Sequence, residues 1–429
     1  MGALFQKLKT NRFFRSLLTL SGGTLVAQAV AILVSPFLTR VFSTYDLALF
    51  AFALAIINTF QASINGGYNH GIVVEGEQEE VFSLLKLSTV AAILLSALVG
   101  IGTFVYISFF SKEGYPALMI AVFVFLTLLS FGLIQTLTAY NNRLGHYKTI
   151  AAVGVYRSLS QNLGSLALGL MKLGSFGLLF SYLAGNLAGV RRQAKDIRED
   201  LPRVFAVPRA QMLDTAKRNR RYPLFTAPSS FVNSFSYSSV TLFIEALFDF
   251  NLLAYYSMSM RILGLPLALV SANVGRIFFA DASKEFRAAG HFKRTFNKMA
   301  LFLSAAALPM GLVMFLFAPP LSRWAFGPGW EVAGQYIRIL TPMFCVRFIA
   351  TAVSSGYLVA GRQRLDALYQ VLLLGASVLS FLAAMAFKLE IEGFLLAISL
   401  SKTLIYTAYL LQLSRYSKGA ATDGTREEN

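Results

Sequence analysis

Residues 115–139 read YPALMIAVFVFLTLLSFGLIQTLTA, a run that contains no charged side chain. As an α-helix this run would be about 37 Å long, because each residue adds about 1.5 Å. The hydrocarbon core of a bilayer is about 30 Å thick, so a continuous apolar run of this length is typical of a membrane-spanning helix. This stretch therefore predicts a helix that lies in lipid.

The same pattern recurs along the whole chain. Of its 429 residues, 56% are hydrophobic and only 14% are charged, whereas soluble domains carry about 25% charged residues. We therefore predict an all-α polytopic membrane protein with about twelve transmembrane helices. The predicted spans are residues 15–38, 47–66, 87–110, 115–139, 148–170, 173–190, 222–247, 251–274, 299–318, 333–359, 366–387 and 392–413.

The basic residues predict the orientation of these spans. The chain has 38 Lys and Arg against 21 Asp and Glu, a formal charge of +17. Nucleic-acid binding would require a soluble basic face, so we expect no nucleic-acid partner. With both termini in the cytoplasm, 28 basic residues fall in cytoplasmic segments, six in external loops and four inside spans. This asymmetry follows the positive-inside rule.

The longest interior loop divides the chain into two sets of six spans. We predict an N-terminal bundle at 1–190, a basic cytoplasmic linker at 191–221, a C-terminal bundle at 222–416 and a polar cytoplasmic tail at 417–429. Residues 42–50 and 248–256 are similar at a shift of 206, and each segment joins the first two spans of its half. The expected architecture is two parallel bundles related by a pseudo-two-fold axis along the membrane normal, as in transporters that alternate between two open states.

Several kinds of chemistry lack their usual residues. The single Cys345 excludes a disulfide within the chain and a cysteine-built metal site, and the three histidines lie in separate predicted loops. The sequence contains no phosphate-binding G-x-x-x-x-G-K-[ST] loop, and no span interior contains Asp or Glu. We therefore expect no catalytic residues, no metal and no cofactor, and a protein that is not an enzyme.

Four cations lie inside predicted spans, each about ten residues from the start of its helix: Arg157, Arg261, Arg347 and Lys402. Insertion of one such charge at mid-membrane costs about 2.5–3.5 kcal/mol. Since no buried acid compensates them, we predict that they share a water-filled cavity between the two halves and bind the anionic head group of a substrate. The alternative is structural: Arg261 precedes Pro266 and Arg347 follows Pro342, and prolines free backbone carbonyls that an arginine can bond.

Polar side chains inside the spans predict the lining of this cavity. Some share a helix face with a cation at a spacing of four residues, and others form stripes on their own spans. Hydrogen bonding between helices is the alternative reading of the same residues. The predicted lining consists of Gln28, Asn58, Gln61, Asn65, Gln161, Asn233, Thr351 and Tyr406.

Short motifs along nearly the whole chain resemble those of Wzx-type polysaccharide flippases, of the multidrug/oligosaccharidyl-lipid/polysaccharide (MOP) exporter superfamily. The motif that is most similar includes Arg261 and Pro266 and matches the pattern G-x-Y-x-x-x-x-R-x-x-x-x-P, with Ala254 in place of the usual glycine. The resembling segments are residues 21–40 with Asp46, 254–267, 327–334, 339–342 and 361–363.

The resemblance implies a flippase in the bacterial inner membrane. Its substrate would be an O-antigen or exopolysaccharide repeat unit on undecaprenyl pyrophosphate, moved from the cytoplasmic to the periplasmic leaflet. Membrane lipids, a polysaccharide polymerase and a chain-length regulator are the other expected partners. A cation-coupled drug or metabolite exporter of the same superfamily is the alternative, although such proteins are expected to carry a carboxylate in the bundle interior. Proton, sodium, membrane-potential and substrate gradients are all compatible with the sequence.

Overall fold

The computed structural model describes residues 12–111, 114–267 and 272–419, with side chains from residue 27 onward except 272 and 273. All secondary structure in these ranges is helical, which confirms the predicted all-α class. The predicted polar tail at 417–429 lies mostly outside the described residues. Backbone contacts divide the chain into two compact units, Met1–Ala246 and Leu247–Asn429.

The first unit contains ten α-helices in the described ranges. Its helices α1 to α10 are Arg12–Val41, Thr44–Phe60, Tyr68–Val74, Gln78–Phe109, Ala117–Arg143, Tyr147–Leu170, Gly174–Gln193, Leu201–Ala206, Arg209–Arg218 and Ala227–Leu247. The last of these is the predicted seventh span, which the sequence assigned to the C-terminal bundle. The grouping into two bundles of six helices stays a prediction.

The second unit contains seven α-helices in the described ranges. These helices, α11 to α17, are Leu252–Pro266, Ala272–Ala289, Lys293–Phe326, Glu331–Val353, Gly356–Val359, Gln363–Phe387 and Ile391–Ser417. Four helices pack directly against α14: α11, α12, α13 and α17. This arrangement matters below because α11, α14 and α17 each carry a predicted membrane cation.

Within the residues that the structure describes, six stretches are long and apolar enough to cross a membrane, judged by length and composition. They are α4, α5, α13, residues Glu331–Val359, α16 and α17. The other predicted spans also coincide with helices, so their existence as helices is confirmed, while the count of twelve crossings stays a prediction. Because helices continue past the hydrocarbon into polar surroundings, several are longer than predicted, such as α13.

The second predicted span is shorter than the sequence suggested. We expected it to reach residue 66, but α2 ends at Phe60 and the chain continues through turns to Gly67. Gly66 and Gly67 both have positive φ, 61° and 77°, a conformation that glycine adopts without steric cost. This pair turns the chain into α3.

The first turn of α2 gives a structural role to Asp46, which lies in the segment 42–50 that resembles 248–256. Ser43 Oγ accepts a hydrogen bond from Asp46 N at 3.1 Å, and Ser43 N donates to Asp46 Oδ2 at 3.2 Å, which forms a capping box. Asp46 Oδ1 also accepts from Ser175 N at 2.6 Å, at the start of α7. One carboxylate therefore joins the first turns of two helices.

The basic linker is folded onto the first unit. Lys86 of α4 donates from Nζ to the carbonyls of Phe205 at 2.9 Å and Val207 at 2.6 Å, between α8 and α9. Glu80, on the same helix, is buried and accepts from Arg218 at 2.8 Å. The segment predicted as a linker between two bundles thus packs as part of one unit.

Glu285 of α12 caps the helix that follows it. Its carboxylate accepts hydrogen bonds from the backbone N–H groups of Arg294 at 3.1 Å and Thr295 at 2.8 Å, in the first turn of α13. Burial by itself raises the pKa of Glu285. The hydrogen bonds from Thr295 and Arg294 and the nearby His291 outweigh that effect, so the pKa is lowered from its ordinary value.

Candidate functional site

In the first unit, Arg157 and Gln161 of α6 lie across a strip of small residues on α7. A Cβ atom at Gly185 would stand 2.7 Å from Cγ of Gln161, and one at Gly189 would stand 2.9 Å from Cδ of Arg157. Both distances are shorter than a van der Waals contact, so only glycine leaves room for the two long side chains. This explains how two polar side chains fit between helices that are otherwise tightly packed.

Asn186, between these glycines, fixes the position of the Arg157 guanidinium. Arg157 Nε donates to Asn186 Oδ1 at 2.8 Å, and the guanidinium carbon lies 4.6 Å from the ring centroid of Phe131. Gln161 Nε2 donates to the same Oδ1 at 3.3 Å. In the described part of the chain, no hydrogen-bond acceptor pairs with Nη1 or Nη2 of Arg157.

Sequence reasoning missed Asn186. It is fully buried, and no residue in the described ranges accepts a hydrogen bond from its Nδ2. A buried donor without an acceptor costs about 1–3 kcal/mol, so this side chain is positioned at a free-energy cost. The available signal was its polarity within an otherwise apolar span.

The second unit brings three of the four predicted cations onto neighbouring helices. Arg261 is on α11, Arg347 on α14 and Lys402 on α17, and α14 packs against both of the others. Lys402 is only 6% exposed, and the positive charge of Arg347 acts on it. The guanidinium of Arg347 lies 5.3 Å from the ring centroid of Phe344. Arg347 is sixteen residues after Glu331, farther from the helix start than predicted.

Tyr406, predicted to line the cavity, is buried one turn after Lys402. Thr351 is exposed one turn after Arg347 on α14. In the first unit, Gln28 is half-buried on α1 and Asn233 is exposed on α10. The role of these four residues as cavity lining stays a prediction.

The predicted polar stripe at Asn58, Gln61 and Asn65 does not form one helix face. Because α2 ends at Phe60, only Asn58 lies within the helix. Gln61 Nε2 donates to Asn58 Oδ1 at 3.0 Å, whereas Asn65 points elsewhere. The expectation of a continuous stripe is therefore wrong, for the same reason that the span was predicted too long.

Asn65 is the centre of a buried hydrogen-bond network. It is 1% exposed, and its Nδ2 lies within hydrogen-bond distance of Ser88 Oγ at 2.9 Å, Thr136 Oγ1 at 2.7 Å and the Gly132 carbonyl at 2.9 Å. These contacts join the turn after α2 to α4 and α5. They support the alternative reading of this residue, hydrogen bonding between helices.

No group of three or more His, Cys, Asp and Glu side chains within the described ranges is placed to hold a metal ion. The candidate site is therefore described by its cations, amides and aromatic rings. Three cations lie on α11, α14 and α17 of the second unit, and Arg157, which bonds Asn186, lies in the first. That all four face one cavity stays a prediction.

Comparison with solved structures shows a shared fold. The chain is similar to the lipid II flippase MurJ in an inward-closed conformation, with a TM-score of 0.75, 14% identity, and coverage of 93% of this chain and 90% of that one. It is similar to a mutant of the MATE transporter VcmN from Vibrio cholerae, with a TM-score of 0.57, 14% identity, and coverage of 96% and 97%. It is also similar to a MOP superfamily transporter from Pyrococcus furiosus, with a TM-score of 0.56, 13% identity, and coverage of 96% of this chain and 97% of that one.

No curated protein sequence matches the chain. Residues 37–335 match the family described as polysaccharide biosynthesis protein, which is more than half of the chain. The resemblance to the MOP exporter superfamily is confirmed by this match together with the shared fold. The chain therefore belongs to the polysaccharide biosynthesis protein family and has the fold of the MOP exporters.

Proposed function

We propose that the protein is a flippase for a glycan linked to undecaprenyl pyrophosphate. It moves an O-antigen or exopolysaccharide repeat unit from the cytoplasmic to the periplasmic leaflet of the bacterial inner membrane, by alternating access through a cationic central cavity. The observation that carries the proposal is the placement of Arg347 on α14, and of Arg261 and Lys402 on two helices that pack against α14. The family match and the fold of a lipid II flippase support it.

These residues place three positive charges on helices of the second unit, two of which pack against the third. Each buried cation costs about 2.5–3.5 kcal/mol at mid-membrane, and the repulsion between Arg347 and Lys402 adds to that cost. The sequence places no acid in the interior of any predicted span. A pyrophosphate carries negative charge, so its binding beside these cations lowers both the cost of insertion and the repulsion.

The arrangement at Arg157 supports an oxyanion ligand for the first unit as well. With Nε bonded to Asn186 and one face over Phe131, the guanidinium is held in a single orientation. Its two terminal nitrogens present the parallel N–H pair that binds phosphate or carboxylate in a bidentate manner. Such a group can hold a second part of a large anionic head group.

The isoprenoid tail would remain in lipid while the head group passes through the cavity. A sugar pyrophosphate cannot cross about 30 Å of hydrocarbon unaided, because its polar groups would lose their hydration. The released repeat unit would then reach a polysaccharide polymerase and a chain-length regulator on the periplasmic side. In this proposal the protein provides a path and performs no covalent chemistry.

A vesicle assay with labelled lipid-linked glycan tests the proposal. Arg347→Ala should abolish movement of label between leaflets, while Arg338→Ala should retain it. Arg338 is the matched control because it lies on the same helix and donates from Nε to the Phe315 carbonyl at 2.8 Å. Full transport by the Arg347 variant would contradict the proposal. Export of a cationic drug by the wild type, without glycan movement, would favour the exporter alternative.

A further inference from the structure

A cavity of about 480 Å³ lies within the first unit, between α2, α4 and α10. Apolar side chains form most of its wall, among them Phe52 and Ile56 of α2, Leu98 of α4 and Leu242 of α10. None of the four predicted cations lines it. It is therefore distinct from the candidate site described above.

Side chains of α2, α4 and α10 line the cavity together. Near one end of the cavity, the Phe60 and Phe231 rings stand with their centroids 5.3 Å apart. Between the helices, Gly102 of α4 lines the cavity, and a Cβ atom built there would meet no atom within 4 Å. The absence of a side chain at this position leaves open space in the wall of the cavity.

One end of the cavity is polar. Tyr106 Oη donates to Glu245 Oε2 at 2.8 Å, and both residues line the cavity. They lie at the predicted external ends of their spans, the depth at which lipid head groups begin. Glu245 is the charged residue that lines this cavity, so its mouth is acidic.

The acidic mouth decides which lipid fits. A carboxylate attracts an ammonium group and repels a head group that carries phosphate charge alone, such as the pyrophosphate of the carrier lipid. Because the bilayer interior is as apolar as the cavity wall, the chain itself gains only packing by entering. Selectivity must therefore come from the head group.

We propose that this cavity binds one acyl chain of a phospholipid whose head group carries an ammonium, with the ammonium beside Glu245 and Tyr106. Phosphatidylethanolamine has this chemistry. The chain occupies the gap between α10 and the pair α2 and α4 and so sets their separation. The inference concerns a bulk membrane lipid and does not depend on the flippase proposal.

Photo-crosslinking of the full-length protein in vesicles tests this inference. The probes are phosphatidylethanolamine and phosphatidylglycerol with a photoreactive group near the end of one acyl chain, and mass spectrometry maps the labelled residues. We expect adducts on residues of the cavity wall with phosphatidylethanolamine, enriched over fully lipid-exposed positions such as Leu404, and far fewer with phosphatidylglycerol.

Two variants and a matched control complete the test. Gly102→Leu fills the gap and should lower cavity labelling by roughly tenfold, the ratio that corresponds to about 1.4 kcal/mol. Gly375→Leu is the control, because a Cβ atom at Gly375 on α16 also meets nothing within 4 Å, but Gly375 is not among the residues that line the cavity. It should leave labelling unchanged. Glu245→Gln should remove the preference for the ethanolamine head group.

The opposite results would overturn the inference. These are undiminished labelling in a folded Gly102→Leu variant, equal labelling by the two lipids in the wild type, or displacement of the probe by undecaprenyl pyrophosphate at low concentration. Folding of each variant is checked by its melting temperature, so a loss of labelling through misfolding is recognised.

Discussion

Replacement of Lys402 by methionine should stabilise the protein and abolish transport at the same time. Methionine keeps an unbranched chain of similar length but removes the charge. Lys402 is 6% exposed and lies on α17, where the positive charge of Arg347 acts on it. If Lys402 contributes to folding, the substitution should lower the stability of the protein. If Lys402 is present to bind an anionic substrate, the substitution should raise it.

The magnitude follows from two opposing terms. Removal of a cation at mid-membrane recovers about 2.5–3.5 kcal/mol, and relief of the repulsion by Arg347 adds to that gain. Against this gain we set the loss of one hydrogen bond from a charged donor, about 1.5–3 kcal/mol. We expect a net stabilisation of about 1 kcal/mol, seen as a melting temperature higher than that of the wild type by a few degrees.

The protein carries its own reporter for this measurement. Cys345 is the only cysteine in the sequence, and it is half-buried on α14, where its Sγ donates to the Ala307 carbonyl at 3.6 Å. A thiol-reactive fluorogenic dye therefore reports separation of α13 from α14 on heating. Arg338→Met is the control, since it removes a cation from the same helix as Arg347 without removing a predicted substrate contact.

Two results would refute the reasoning. A lower melting temperature for Lys402→Met than for the wild type would mean that the ammonium bonds backbone carbonyls as a structural element. Wild-type transport of lipid-linked glycan by this variant would mean that the charge does not contact the substrate. The control should transport normally, so a loss of transport in both variants would point to a general effect of charge removal.

Three further predictions concern packing and pH. Asn65→Leu should destabilise the protein by about 1–3 kcal/mol through loss of its buried hydrogen bonds, as measured by the melting temperature with the thiol-reactive dye. Transport per folded molecule should stay unchanged. Loss of transport with a normal melting temperature would instead support a role of Asn65 in the cavity. Gly334→Ala should also destabilise the protein, by about 1–3 kcal/mol or more, because a Cβ atom there would lie 2.3 Å from Cα of Pro319. Gly375→Ala is the control and should not destabilise the protein, because Gly375 stands in open space. Equal melting temperatures of the two variants would contradict the packing argument. The pKa of Glu285 is lowered in the folded protein, so its carboxylate stabilises the protein above the ordinary pKa of about 4.3 and loses this effect as pH falls through the lowered value. The melting temperatures of wild type and Glu285→Gln should therefore converge on acidification. A difference that stays constant with pH would contradict the assignment.

The helices and the cations were predictable because both depend on local properties. An apolar run as long as residues 115–139 forms a helix in lipid whatever its neighbours are, since only internal hydrogen bonds can satisfy its backbone there. Arg157, Arg261, Arg347 and Lys402 are recognisable for the same reason: a charge within such a run is unusual by itself. The motif around Arg261 added the superfamily, which the family match and the fold confirm.

The errors came from features that depend on more than one segment. The stripe through Asn65 failed because a pair of glycines, Gly66 and Gly67, turns the chain after α2, and hydropathy does not report turns among apolar residues. The contacts of the predicted linker could not be predicted either: Glu80 and Lys86 of α4 bond residues of the segment 191–221, whose role as a linker stays a prediction. Those contacts join residues more than a hundred positions apart.

By itself the sequence determined that this chain is a helical membrane protein, which segments are helical, and which charges lie among apolar residues. Only the tertiary structure decided which polar groups meet: Asn186 with Arg157, and Asn65 with Ser88 and Thr136. It also decided that Gly102 opens an apolar cavity beside Glu245. The physical reason is that helix formation in a membrane depends on local hydrophobicity, whereas a contact between two helices depends on how each is rotated and packed.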